Sequence, residues 1–271
     1  MPKIRFSARL AMEYRRLFAT CVIDEARLAE VEEILEKIAQ HRRRYLQVAE
    51  PLSLPWHFVA LVHHMEASLD FSRHLHNGDP LTARTVRHPA GRPKTGHPPF
   101  TWEESAADAL RCRRLTTWKD WSLPGTLYKL EEYNGWGYRL YHPHVLSPYL
   151  WSGSNHYRRG KYTADGVWSE TAVSRQIGAA VLLRRMAEKG LVDFPKELSP
   201  KDAPERPLLV YSMTEWSAYA EELQRFLNRF PGIYLRVDGF PGRKTSAAFR
   251  KVTGFYLMGD PRGQGGPGRG Y

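Results

Sequence analysis

The sequence predicts a mainly α protein with one small β-hairpin, divided into a larger N-terminal domain and a smaller C-terminal one. Three observations carry this. Apolar residues recur at helical spacing through most of the first seventy positions, while strand-like patterning is confined to GKYTADGVW around Asp165-Gly166. A charged, proline-punctuated stretch over residues 193–206 then separates two segments that each carry their own apolar periodicity. The boundaries are residues 1–192, a linker over 193–206, a second domain over 207–260 and a glycine-rich, disordered tail over 261–271.

Taken in order, Leu10, Tyr14 and Leu17 set the spacing of a first helix, and Ile23, Leu28, Val31, Leu35 and Ile38 that of a second. Residues 56–80 follow as the element around which the domain is organised. Ser53 suits its N-cap, Pro55 its first turn, and Phe58, Val59, Val62, Met65 and Leu69 form its apolar stripe. Asn77-Gly78 is expected to end it with a left-handed turn. Residues 81–99, dense in Pro, Gly and basic side chains, read as a long functional loop. A helix resumes over 100–111 with Thr101 and Glu104 as a capping box. Residues 169–189 close the domain as a further helix.

Composition narrows the function classes. With 271 residues, 42% of them hydrophobic, the chain has enough apolar material for sizeable cores. Its 40 Lys and Arg against 29 Asp and Glu give a net charge of +11, which attracts polyanions. The basic residues are scattered and no nucleic-acid-binding motif stands out, so nucleic acid is not the expected partner. Two cysteines, Cys21 and Cys112, make neither a disulfide framework nor a metal cluster and read as small apolar residues of a reduced cytosol. Charges at Arg9, Glu13, Arg15 and Arg16 interrupt any secretory h-region, and no 18-residue apolar run exists. The expectation is cytoplasmic synthesis without a signal peptide, no membrane insertion and no cofactor.

Glu66 is the leading catalytic candidate. It lies four residues after Val62 and three before Leu69, so its carboxylate rests against the apolar stripe, where desolvation raises its pKa and makes it a proton donor at neutral pH. Asp70, one turn on, shares that face, and Asp79 follows the Asn-Gly stop; either could be the second carboxylate, with Asp79 orienting water. From residue 121 to 168 the chain is rich in Tyr, Trp, Asn, Gly and His, as a carbohydrate cleft requires: Trp136, Tyr138 and Trp151 offer stacking faces, and Asn155 and His156, with His76 and Asn77, offer polar groups for hydroxyls and acetamides. The same aromatics could instead fill an irregular core.

Glu66-Ala-Ser-Leu-Asp-Phe71 resembles the Glu-Ser-x-Phe-Asn/Asp signature of the goose-type lysozyme and lytic transglycosylase family, and Glu132-Tyr133-Asn134-Gly135 resembles its Ala-Tyr-Asn-x-Gly segment. The Gly-Leu-Met-Gln segment between them is missing. The resemblance implies a lysozyme-like helical domain in which Glu66 protonates a glycosidic oxygen and Tyr133 and Asn134 line the cleft. Beyond the linker, Leu223-Gln-x-x-Leu-Asn228, Val237-Asp-Gly239 and Lys244-Thr245-x-x-Ala-Phe249 resemble the three-helix peptidoglycan-binding module of wall hydrolases. That likeness implies a core of Leu223, Leu227, Val237 and Phe249, a turn at Asp238-Gly239, Thr245 as the last helix's N-cap, and wall contacts through Gln224, Asn228 and Lys244 as well.

Together these imply a monomeric phage endolysin that cuts the glycan of bacterial peptidoglycan between N-acetylmuramic acid and N-acetylglucosamine, reaching the wall through a holin or lysis. Two other readings stay open. His74-Leu-His76 followed by Asp79 is loosely similar to a zinc peptidase motif acting on wall peptides. A non-catalytic wall-binding protein would use the same module.

Overall fold

The computed structural model describes residues 4–86, 89–164, 166–194 and 209–263. The chain divides into two compact units, Met1–Pro195 and Lys196–Tyr271. Among the described residues it is mainly helical, with a single two-stranded sheet. Residues 195–206 of the expected linker and 264–271 of the expected tail lie outside the described residues.

In the first unit, α1 (Ala8–Ala19), α2 (Leu28–Gln40) and α3 (Arg42–Ala49) follow the expected apolar spacing, with a break at His41 dividing the second helix from the third. The central helix is α4 (Trp56–Ala67), which packs against α3, against α6 (Leu123–Asn134) and against α9 (Ala179–Glu188). Phe58 to Val62 are five consecutive residues without solvent exposure, so α4 is buried on all sides rather than along one stripe. Two of its three histidines, His63 and His64, are core groups. His63 Nδ1 lies 3.1 Å from the Tyr45 hydroxyl, His64 Nε2 lies 2.9 Å from the Ile177 carbonyl oxygen, and burial pushes both pKa values down.

Both ends of α4 differ from expectation. Ser53 does not cap it: Ser53 is left-handed (φ 54°) after a 3₁₀ turn, and the N-cap is Pro55. The helix stops at Ser68 (φ 51°) and Leu69 (φ 62°), ten residues before Gly78. The Gln176 amide donates to the Met65 carbonyl at 3.1 Å, an acceptor that the helix C-terminus leaves open, and to the His64 carbonyl at 2.9 Å, which also accepts from the Ser68 amide at 3.0 Å. Gly78 (φ +78°) instead turns a loop back onto the helix end, where an added Cβ would stand 3.3 Å from the Glu66 carbonyl oxygen.

The capping box appears as expected on α5 (Trp102–Cys112): Thr101 Oγ1 accepts from the Glu104 amide at 3.2 Å, and the Glu104 carboxylate accepts from the Thr101 amide at 2.8 Å. Stretch 121–168 holds more helix than its composition suggests, with α6, α7 (Gly137–Tyr141) and α8 (Pro148–Trp151) preceding the hairpin of β1 (Lys161–Ala164) and β2 (Val167–Ser169). The helix expected from residue 169 begins only at Ala179. Gly178 must come first, because its Cα packs so closely on α8 that a Cβ would stand 2.3 Å from the Leu150 carbonyl oxygen.

The second unit contains α10 (Ala218–Leu227), α11 (Arg243–Thr253) and a 3₁₀ turn (Pro261–Gly263); three helices were expected, and two α-helices are present among the described residues. Its core is Leu227, Ile233 and Ala248, with Leu223 and Phe249 packed against it; Val237 lies outside this cluster. Gln224, 1% exposed, joins the parts. Its Nε2 donates to Asp238, Thr245 and the Phe240 carbonyl at 2.8, 3.0 and 3.1 Å, and its Oε1 accepts from the Asp238 and Gly239 amides at 2.9 and 3.0 Å. Thr245 is therefore not an N-cap; Gly242 is, and the Thr245 hydroxyl is buried in this network. Asn228 clamps Leu235 with two hydrogen bonds of 2.8 and 2.6 Å, while Lys244 is exposed. Residues 261–263 are ordered rather than tail, with Arg262 paired to buried Asp260 at 2.7 Å. Gln224→Ala is expected to cost about 3 kcal/mol, since it strands the Asp238 and Gly239 amides and removes three further bonds, while the Thr245 hydroxyl keeps its bond to the Phe240 carbonyl at 3.3 Å. Hydrogen exchange at the Asp238 and Gly239 amides in the full chain checks this: both should lose protection while the α4 amides keep theirs.

Candidate functional site

Glu66 occupies the last turn of α4 and is partly accessible. Burial raises its pKa to about 7, against two opposing effects: a hydrogen bond from the Tyr149 hydroxyl to Oε1 at 2.9 Å, and the positive charge of Arg113. The negative end of the α4 dipole acts in the same direction as burial. A carboxyl with this pKa is about half protonated at neutral pH and can give up or take a proton without a large penalty either way.

Four elements meet at this point. Tyr149 comes from α8 and Tyr133 from α6; Tyr133 is buried, and its hydroxyl donates to the Leu75 carbonyl at 3.3 Å. Burial raises the pKa of each tyrosine, the negative charge of Glu66 adds to this, and both hydroxyls stay protonated donors. Arg113, just past α5, lays its guanidinium over the Tyr133 ring at 4.6 Å. Backbone strain collects here too. Of four non-glycine residues with positive φ among those described, Ser68 and Leu69 follow Glu66 and Arg114 follows Arg113. Left-handed conformations cost such residues about 1 kcal/mol or more each and persist where the surroundings enforce them, as functional sites do.

The other candidates are dispersed. Asp70 turns into its own loop, where Oδ1 accepts from the Ser72 amide and hydroxyl at 2.8 and 2.6 Å and Oδ2 pairs with Arg73 at 3.0 Å; these bonds hold its carboxyl below the usual range. Asp79 Oδ2 accepts from Asn77 Nδ2 and from the Val86 amide, both at 2.8 Å, so Asn77 and Asp79 together fasten the 72–86 loop beside Glu66. His76 is buried, with Nε2 2.9 Å from Asp108, which also pairs with Arg92. Asn134 is exposed, its amide 3.4 Å from Ser147. Trp136, Tyr138 and Trp151 are core residues, 5%, 8% and 1% exposed, and offer no open stacking face.

Asn155 and His156 anchor the end of α1 instead of facing Glu66. Asn155 accepts from the Val22 amide at 2.9 Å and donates to the Thr20 carbonyl at 3.0 Å, and His156 Nε2 lies 2.7 Å from the Leu17 carbonyl oxygen. They also line a cavity of about 430 Å³ whose other walls include His144, Arg158, Arg159 and Glu170; Glu66 does not line it. Of the histidine pair of the zinc reading, His74 has both ring nitrogens engaged, by the Ser105 hydroxyl at 2.7 Å and the Ala83 carbonyl at 2.8 Å, and His76 pairs through Nε2 with Asp108. Among the described residues, no three His, Cys, Asp or Glu side chains gather as a possible ligand set.

Sequence reasoning missed Tyr149, Arg113 and Gln176. Tyr149 had a signal, lying inside the aromatic-rich stretch; the other two had none. Removing the Tyr149 hydroxyl should raise the Glu66 pKa further, because the lost hydrogen bond favoured the charged form. In Tyr149→Phe, the NMR titration midpoint of the Glu66 carboxyl carbon is expected about one pH unit above that of the wild type. No family model, curated protein or solved structure matches the chain.

Proposed function

We propose that the chain is a glycan-cleaving enzyme of the bacterial wall and that Glu66 is its acid and base. The observation that carries this is the Glu66 carboxyl itself: partly accessible, raised to about 7, and held by a tyrosine hydroxyl at a strained helix end. The likeness of residues 66–71 and 132–135 to the goose-type lysozyme and lytic transglycosylase family supplies the substrate, peptidoglycan. The likeness of the C-terminal unit to a peptidoglycan-binding module agrees with it, although Gln224 and Thr245 are buried there and serve the fold.

In this reading Glu66 donates its proton to the glycosidic oxygen between N-acetylmuramic acid and N-acetylglucosamine as the C1–O bond breaks. Tyr149 and Arg113 then stabilise the carboxylate that is left. Asp70 and Asp79 both spend hydrogen-bonding capacity on the loop, which supports a route needing no second carboxylate. There the muramic acid 6-hydroxyl attacks C1, its proton passes to the Glu66 carboxylate, and a 1,6-anhydro ring forms. Mass spectrometry of the muropeptides released from purified wall tests this. Anhydro-muramyl ends are expected; reducing ends throughout would return the second step to water and one of the two aspartates.

A further inference from the structure

We propose that the cavity between residues 144–146 and 155–159 is a subsite for the carboxylates of the peptide stem that peptidoglycan carries on its muramic acid. The inference rests on the glycan-cleaving reading above and extends it to a second part of the same substrate.

The cavity has a volume of about 430 Å³, enough for a few residues of extended peptide, and its lining carries two guanidiniums, Arg158 and Arg159, against one carboxylate, Glu170. That carboxylate is already engaged, accepting from the Trp168 indole at 2.7 Å and lying 3.4 Å from His144. Neither Arg158 nor Arg159 makes a hydrogen bond or ion pair among the described residues, and both are exposed. Elsewhere in this unit Arg139 pairs with Glu13 and Glu131, and Arg92 with Asp108. Two adjacent guanidiniums without acids, opening on a cavity, form an oxyanion-binding arrangement.

The backbone that presents them is fixed on both sides. Before them, Asn155 and His156 are tied to the end of α1. The buried Tyr157 hydroxyl donates to the Gly160 carbonyl at 3.2 Å and accepts from the Ser174 amide at 3.1 Å, which closes the turn around the two arginines. Gly160 (φ +95°) lets the Trp168 ring and Val145 close in, since an added Cβ would stand 3.1 Å from each. His142 stacks on Trp168 at 3.5 Å. In the sequence, the two stretches that line the cavity flank α8, the helix that supplies Tyr149 to Glu66.

Calorimetric titration of the full-length Glu66→Gln protein tests the proposal with four probes: the muramic acid-containing disaccharide with a tetrapeptide stem, the same disaccharide without peptide, the free tetrapeptide, and inorganic phosphate. The free tetrapeptide is expected to bind, to bind at least tenfold more weakly after Arg158→Ala with Arg159→Ala, and to recover most of that loss when both are Lys. The peptide-free disaccharide should be indifferent to the arginines. Unchanged melting temperatures of the arginine variants would exclude misfolding as the cause. Tetrapeptide binding that ignores both arginines, or its absence, overturns the proposal. So does phosphate binding that depends on the arginines while the tetrapeptide is ignored, which would assign the cavity to a phosphate-bearing wall polymer. Peptide binding is read without catalysis, so a failure of the glycan-cleaving reading would show separately, as an intact glycan with the tetrapeptide still bound.

Discussion

Glu66→Gln is expected to lower the rate of glycan cleavage by about 10²–10⁴-fold, the contribution of a positioned proton donor, while leaving wall binding intact. The same substitution should stabilise the fold, and the sign follows from the raised pKa. A Glu with a folded pKa of about 7 binds its proton more tightly folded than unfolded, so its ionisation destabilises the protein as pH rises from the ordinary carboxylate range through 7. Gln cannot ionise. Urea unfolding should therefore find Glu66→Gln more stable than the wild type by up to about 3 kcal/mol at pH 8, with no ionisation-dependent gain below pH 4. A stability difference independent of pH would mean that Glu66 titrates normally.

Arg139→Met is expected to cost about 3–5 kcal/mol, the consequence of leaving a buried carboxylate without its counter-charge. Glu131 is 2% exposed and accepts from the Tyr14 hydroxyl at 2.5 Å and from Arg139 Nε at 2.9 Å, while Arg139 also reaches Glu13 at 2.8 Å. This network joins α1 to α6, the helix that also carries Tyr133. Burial already holds the Glu131 pKa above the usual range, and losing Arg139 raises it further. The penalty should thus be small in acid and grow as pH rises past the unfolded carboxylate pKa. Adding Glu131→Gln should recover much of the loss at neutral pH, since it removes the unpaired charge.

What the sequence made legible was local. The Thr101–Glu104 box and the hairpin pairing of β1 with β2 are short-range features, and both are present. The buried run of α4 was legible from its apolar residues, and Glu66 from its spacing within them. The end of α4 was not, because Ser68 and Leu69 are poor left-handed residues and the side chain that bonds the helix end, Gln176, lies more than a hundred positions away. The start of α9 likewise depends on Gly178 meeting the backbone of Leu150. Aromatic density identified the right stretch and assigned it the wrong layer: Trp136 and Trp151 fill the core, and the aromatic that reaches Glu66 is Tyr149, 83 residues from it. Asp70 and Asp79 were singled out by residue type alone, and type does not reveal that a carboxylate is already bound to its own loop.

The central claim is that Glu66 cuts glycan, and the most direct measurement is mass spectrometry of the fragments that the wild type and Glu66→Gln release from purified peptidoglycan, each with and without EDTA. Disaccharide-peptides from the wild type, lost in Glu66→Gln and unaffected by chelator, are the expected result. Free peptides with an intact glycan, abolished by EDTA and retained in Glu66→Gln, would contradict it and return the chain to metal-dependent peptide cleavage.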